Sequence, residues 1–219
     1  MSHSPWLRAL VVLAWLAAAC AAPDSAAPPR TLQSFDRRDA DVYLVPVGAF
    51  SEKYLVDLAS YCENVFGLAV GVTAPLRFEP SIVDAERKQL IAQAAIQLIA
   101  KAYASESSNP RTIYVGVTHV DMYIQGGTRS FAYSDRIGNV AIATSSRTAR
   151  DPQPSFAEIT ELQPGLRKLV ANAIGLLYYK KAPSSNPHSV LFAPILARED
   201  LDAIDESTVY PDILGRSRP

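Results

Sequence analysis

Lys168-Leu-Val-Ala-Asn-Ala-Ile-Gly-Leu-Leu-Tyr178 is the most telling segment of this chain. Together with Leu166 just before it, Leu169, Val170, Ala173, Ile174 and Leu177 recur at spacings of three and four. That is the period of a helix burying one face. The reading predicts a core helix from about Gly165 to Lys180, stopped by the turn Pro183-Ser-Ser-Asn-Pro187. The polar-aromatic end Tyr178-Tyr179-Lys180-Lys181 suits a helix C-terminus, where lysine complements the negative end of the dipole.

Working outward, apolar and β-branched runs alternate with helical patterns. Val42-Tyr-Leu-Val-Pro-Val47 reads as a strand, with Pro46 arguing against a central place in a sheet. A helix follows from about Glu52 to Phe66, with Ser51 as its N-cap. Leu68 to Thr73 is a second strand. Leu90, Ile91, Ala94, Ala95, Leu98, Ile99 and Ala102 share one helical face and predict a long helix from Ile82 to Tyr103. After Asn109-Pro110 come the strand Thr112 to Val117, a loop holding Gly126-Gly127, a short strand near Ser130 to Tyr133, and the strand Asn139 to Thr144. A short helix near Arg198 to Asp205 closes the domain. Strands alternating with helices predict an α/β sandwich with a mixed, mostly parallel sheet and right-handed crossovers. The Gly126-Gly127-Thr128-Arg129 loop is read as a plain turn, with anion binding by its amides as the other possibility.

The 219 residues suffice for one domain with a sizeable core. With 48% hydrophobic and 20% charged residues, the composition is globular. A formal net charge of -1 gives no basic footprint for nucleic acid. The segment 1–20 resembles a bacterial lipoprotein signal: Arg8 precedes a short apolar run that ends in small residues at Cys20. That run has the size of a signal core rather than of a membrane span. The resemblance implies export to the periplasmic face of a bacterial membrane, with a lipidated Cys20 as the anchor. Ordinary secretion is the other reading, because Ala19-Cys20-Ala21 also fits a small-x-small cleavage site. Residues 21–40, rich in Ala and Pro, read as a tether, 41–206 as the folded domain and 207–219 as a polar tail. A lipidated Cys20 leaves Cys62 without a partner in the chain, and its helical setting suggests a buried structural thiol.

Three segments taken together resemble the archaemetzincins, a family of metzincin-type zinc peptidases. The first is Val42-Tyr-Leu-Val-Pro-Val-Gly48 with the helix after it and Phe66-Gly67. The second is Ile113-Tyr-Val-Gly-Val-Thr-His-Val-Asp-Met-Tyr123, continuing to Phe131-Ala132 and Val140-Ala-Ile-Ala-Thr-Ser-Ser-Arg147. The third is the Gly175 helix with Ser189-Val-Leu-Phe192 downstream, where Leu191 stands for the methionine of the metzincin Met-turn. The resemblance spans about residues 41–206 and implies a metzincin-like fold with Gly175 and Leu191 as its markers.

It does not bring the chemistry with it. The family pattern is H-E-x-x-H-x-x-G-x-x-H, in which helical His side chains hold zinc and the Glu takes a proton from the bound water. With Gly175 on the pattern's glycine, Lys168, Asn172 and Tyr178 stand where the His ligands belong, and Leu169 stands for the Glu. The family's Cys-rich second zinc site has no counterpart, because Cys62 is the only cysteine of the domain. The resemblance therefore implies a pseudoenzyme with no cofactor, whose former substrate cleft takes a peptide or protein partner. One alternative is an active zinc peptidase with a rebuilt site of His119, His188 and Asp121. Another is a structural envelope protein without cleft function. An uncompensated buried amine is costly, so Lys168 is expected to reach solvent or a carboxylate.

Overall fold

The computed structural model describes residues 39–49, 52–103, 109–148 and 164–216. The expected signal with Cys20, nearly all of the tether and the Ser51 cap lie outside the described residues. The elements in chain order are β1 (Val42–Pro46), α1 (Glu52–Phe66), β2 (Val70–Val72), β3 (Val83–Asp84), β4 (Gln89–Ile91), α2 (Ala92–Tyr103), β5 (Ile113–Thr118), β6 (Met122–Tyr123), β7 (Ser134–Ile137), β8 (Val140–Thr144), α3 (Pro164–Leu177) and α4 (Arg198–Ala203).

The inner strands are apolar on both faces, as a sheet covered on both sides requires. Val42 and Leu44 of β1, Ile113, Val115 and Val117 of β5, and Ala141 and Ala143 of β8 pack with α1 and α3. The alternate residues Val45, Val47, Tyr114, Val140 and Ile142 pack with α2 on the opposite face. The small Ala141 and Ala143 let α3 lie close to the sheet. Gly116 does the same for α2, since a Cβ there would stand 2.5 Å from Ile99 Cδ1. The strand order is β2-β1-β5-β8-β7, and β3-β4-β6 form a second, small sheet. Four strands of the main sheet are parallel, and β7 runs antiparallel to β8 at one edge. The result is the expected α/β sandwich with a mixed, mostly parallel sheet.

Four local expectations are corrected. The helix expected from Ile82 spans only Ala92–Tyr103. Asp84 Oδ1 accepts the N–H groups of Glu86 and Arg87, and Lys88 takes φ 54°, so the chain reverses and Leu90 pairs with Met122 instead of continuing a helix. Pairing with a distant strand overrides the helical spacing there. Pro46 sits in an inner strand. It lies beyond the last regular β1–β2 pair, Leu44 with Val72, where the ladder is interrupted until Leu76; its C=O still accepts from Leu76 N–H at 2.8 Å, so only the N–H that proline lacks falls at the interruption. The edge strand near Ser130 to Tyr133 is instead Ser134–Ile137, joined to β8 by a two-residue turn that opens with Gly138 at φ 63°. The segment read as a polar tail carries core residues: Val209 and Ile213 are buried in a π-helical turn, Val209–Leu214. Val209, Ile213 and Leu214 are its apolar anchors, too short a pattern to read as an element.

Candidate functional site

α3 is buried nearly all round, from Leu169 through Leu177. The sheet covers one side, and residues from α4 and the Val209–Leu214 turn join the same core from elsewhere around it. Its position at the centre of the domain is what gives the residues of the zinc frame their partners.

Lys168 Nζ donates to the carbonyls of Leu201 at 2.9 Å and Asp202 at 3.3 Å. These belong to the last turn of α4, where carbonyls lack helical partners and the dipole is negative. Lys168 is half-buried and keeps a bond at an exposed position, in keeping with the expectation that its amine is not buried without a partner, and the partner it finds is the end of a helix rather than a carboxylate. Leu169 is buried in the core. Asn172 Nδ2 donates both of its hydrogens, to Val190 O at 2.8 Å and Phe192 O at 3.1 Å. Tyr178 continues the helical path, its N–H bonded to Ile174 O at 2.9 Å. Its hydroxyl donates to Asp41 Oδ1 at 2.8 Å, and the Arg111 guanidinium lies 4.9 Å from its ring.

Lys168 and Asn172 lie one turn apart on the same side of α3. Tyr178, at about 100° per residue, is rotated about 120° away from Asn172. It is fastened at the N-terminal end of β1, so the three positions do not converge. The donor set is also wrong for zinc, which takes thiolate, imidazole or carboxylate. An ammonium already satisfied by carbonyls, an amide with both N–H groups used and a phenol engaged elsewhere do not fit the ion.

The rebuilt site fares no better in geometry. Burial alone would raise the Asp121 carboxyl, but hydrogen bonds from Arg147 and Gln89 outweigh it and hold it below the usual range. Arg147 grips Asp121 with two nitrogens, and Gln89 Nε2 donates to it at 2.8 Å. His188 Nδ1 pairs with Ala203 O at 3.0 Å. Burial makes His119 harder to protonate. Among the described residues, no group of three or more His, Cys, Asp or Glu side chains stands together as a ligand set.

The two fold markers meet. A Cβ on Gly175 would stand 2.6 Å from Leu191 Cδ2 and 2.7 Å from Ile213 Cδ1. The Ser189–Phe192 turn that carries Leu191 is held on several sides. Val190 N–H donates to Thr208 Oγ1 at 2.7 Å, Phe192 N–H to Ser189 O at 3.0 Å, and Ser189 Oγ to Asp212.

Beside this turn lies a groove of about 680 Å³. Phe131 to Arg136 line it on one side, Phe192 to Leu196 on the other, and Asn172 is part of its surface. Ala193-Pro194 in the second wall is a cis peptide. Arg129 reaches across, its Nη1 donating to Leu196 O at 3.2 Å. Thr144 N–H bonds Tyr133 O at 3.0 Å, so the alternation of an antiparallel ladder turns the backbone groups of Ser134 and Arg136 away from β8. The outward N–H of Arg136 donates to Asp135 Oδ1 at 2.9 Å. Burial pushes the Asp135 carboxyl above its ordinary range, more than that bond and the Arg136 charge pull it down. Ile137, at the end of this edge, is 49% exposed.

The groove's walls were missed in the sequence. The signal for β7 was Ile137-Gly-Asn-Val140, a two-residue hairpin turn that fixes the strand before it. Nothing local marks Phe192 to Leu196 as a wall. Gly126-Gly127 forms the plain turn that was read, with Gly127 N–H bonded to Ile124 O at 3.0 Å, and Gly127 also lines the groove. Cys62 is fully buried, and burial pushes its thiol pKa far up, as fits a structural thiol.

Three solved structures are similar. Archaemetzincin from Archaeoglobus fulgidus, complexed with malonate, aligns with a TM-score of 0.55 at 18% identity, over 74% of this chain and 91% of that one. Archaemetzincin from Methanopyrus kandleri gives 0.56 at 15%, over 75% and 86%. A zinc-dependent peptidase from Methanocorpusculum labreanum gives 0.57 at 15%, over 74% and 93%. At these identities the likeness shows the fold: this chain has the fold of the archaemetzincins. No family model matches the sequence. No curated protein matches it either.

Proposed function

We propose that this archaemetzincin-fold chain is an exported, lipid-anchored binding protein, a pseudoenzyme that holds an extended peptide in its groove instead of cleaving it. One observation carries the reading. Lys168, Asn172 and Tyr178 are engaged in hydrogen bonds within the protein, while the groove beside β7 remains open at about 680 Å³. A peptide strand adding to β7 would find the outward N–H and C=O of Ser134. Phe131 and Phe192 offer apolar contacts on opposite walls. The exposed Ile137 extends the apolar edge. Export and anchoring rest on Arg8 to Cys20, and Cys20→Ser is expected to release the protein from the membrane and abolish labelling with a fatty-acid analogue.

The likeness to a zinc-dependent peptidase favours a second reading, catalysis with other ligands. The two readings separate on purified protein. The binding reading expects zinc well below one equivalent by elemental analysis, no hydrolysis of a peptide library, and peptide binding by fluorescence anisotropy. Ser134→Pro, which removes an outward N–H but no β7–β8 bond, is expected to abolish binding at unchanged Tm. Stoichiometric zinc, lost together with peptide hydrolysis when His119 or His188 is changed, would overturn the proposal. A third reading, a structural envelope protein, is met if no peptide binds.

A further inference from the structure

Among the described residues, the groove carries an unbalanced positive charge. Arg87, Arg147, Arg167 and Arg198 each pair with a carboxylate inside the structure. Arg129 and Arg136, both exposed on the groove wall, form no ion pair among the described residues. Among the described residues, Asp135 is the only acidic residue lining the groove, and it gives its oxygen to the backbone N–H of Arg136 rather than to the guanidinium. Arg129 spends one N–H on Leu196 O, which fixes the guanidinium between the two walls and leaves its other donors without a partner among the described residues. The remaining lining is largely apolar, including Phe131, Phe192, Pro194 and Ile195.

We infer that the groove selects an acidic partner: an extended peptide whose side-chain carboxylates pair with Arg129 and Arg136 while its apolar residues lie between the walls. This rests on the peptide-binding reading above and names its specificity. Two guanidiniums on different segments of the wall, one in the loop before Phe131 and one on β7, offer two places for an anion. Acidic side chains along a strand can fill both. Planar guanidinium groups also favour bidentate carboxylate over a point contact.

The test uses three labelled peptides of equal length. One is end-capped with alternating apolar and Glu or Asp residues, the second is its capped Gln/Asn version, and the third is that neutral version with a free C-terminal carboxylate. Anisotropy titrations at low and at physiological salt are expected to show the capped acidic peptide binding at least about tenfold tighter than its neutral version at low salt, with the gap shrinking as salt rises. Arg129→Gln and Arg136→Gln are each expected to remove about threefold to tenfold from acidic-peptide affinity and nothing from the neutral peptide. Arg77→Gln, exposed and outside the groove, changes neither. Both arginines are exposed, so thermal unfolding of the variants should match the parent. Equal binding of acidic and neutral capped peptides overturns the charge inference and leaves the groove reading standing. Binding of the free-carboxylate peptide alone overturns it in favour of terminus capture. Failure of all three overturns both.

Discussion

Asn172 and Val190, eighteen residues apart, are joined by a 2.8 Å hydrogen bond from the Asn172 amide to the Val190 carbonyl. The second hydrogen of the same amide reaches Phe192 O, so one buried side chain fastens α3 to the turn that carries Leu191. Asn172→Leu leaves two carbonyls without their donor, and a loss of about 2–3 kcal/mol in urea unfolding is expected. Asn172→Asp sets a carboxylate against those carbonyls, which raises its folded pKa above the ordinary 3.9 or so. A raised acid is most stable below the unfolded pKa and loses stability as pH rises through the folded one. The Asp variant should therefore approach the parent near pH 3.5 and fall furthest behind at pH 7, whereas the Leu variant shows no such trend.

Lys168 secures the other end of the frame, on the carbonyls that close α4. Lys168→Met keeps the apolar stem and removes the donors and the charge. The expected cost is about 1–2 kcal/mol. Amide exchange should speed up in α4 more than in β5 or β8, because α4 loses its capping cation while the central strands keep their ladders.

Gly175 is needed for space rather than for a turn, since it lies within α3. Gly175→Ala drives a methyl toward Leu191 and Ile213, both buried, with an expected loss of about 1–3 kcal/mol. Leu191→Ala in the same chain should recover part of that loss, a coupling that a double-mutant cycle measures. Gly67→Ala meets no atom within 4 Å among the described residues and carries only the strain of φ 68°, about 1 kcal/mol.

Asp135 offers a pH test on the groove wall. Its folded pKa is raised by burial, so the carboxylate lowers stability at neutral pH and the deficit vanishes below the unfolded pKa. Asp135→Asn keeps an oxygen for the Arg136 N–H. Its Tm should exceed the parent's at pH 7 and match it near pH 3. Equal Tm values at both pH values would show that the carboxylate carries no burial cost.

The strands β1, β5 and β8 and the helices α1 and α3 were legible because each has a period of its own: runs of β-branched residues, or apolar residues three and four apart. The residues standing in the zinc frame were legible too, since identity at a position is a property of sequence alone. What those residues bond was not. Lys168 is half-buried rather than buried without a partner, as expected, but which groups it bonds, the α4 carbonyls, was not in the sequence. The hairpin of β3 and β4 was hidden because Leu90 and Ile91 suit a helix and a strand equally, and only Met122 and Tyr123 on β6 settle the matter.

The sequence by itself determined the layered α/β order, the place of Gly175 in a buried helix, and which side chains occupy the positions of the zinc frame. Tertiary structure alone decided that Tyr178 is carried away to Asp41, that Val209 and Ile213 join the core, and that Arg129 and Arg136 face one groove. Periodicity is local and survives in a linear reading. Convergence depends on which distant carbonyls, carboxylates and apolar faces the fold brings within a few ångströms, and chain spacing does not encode that.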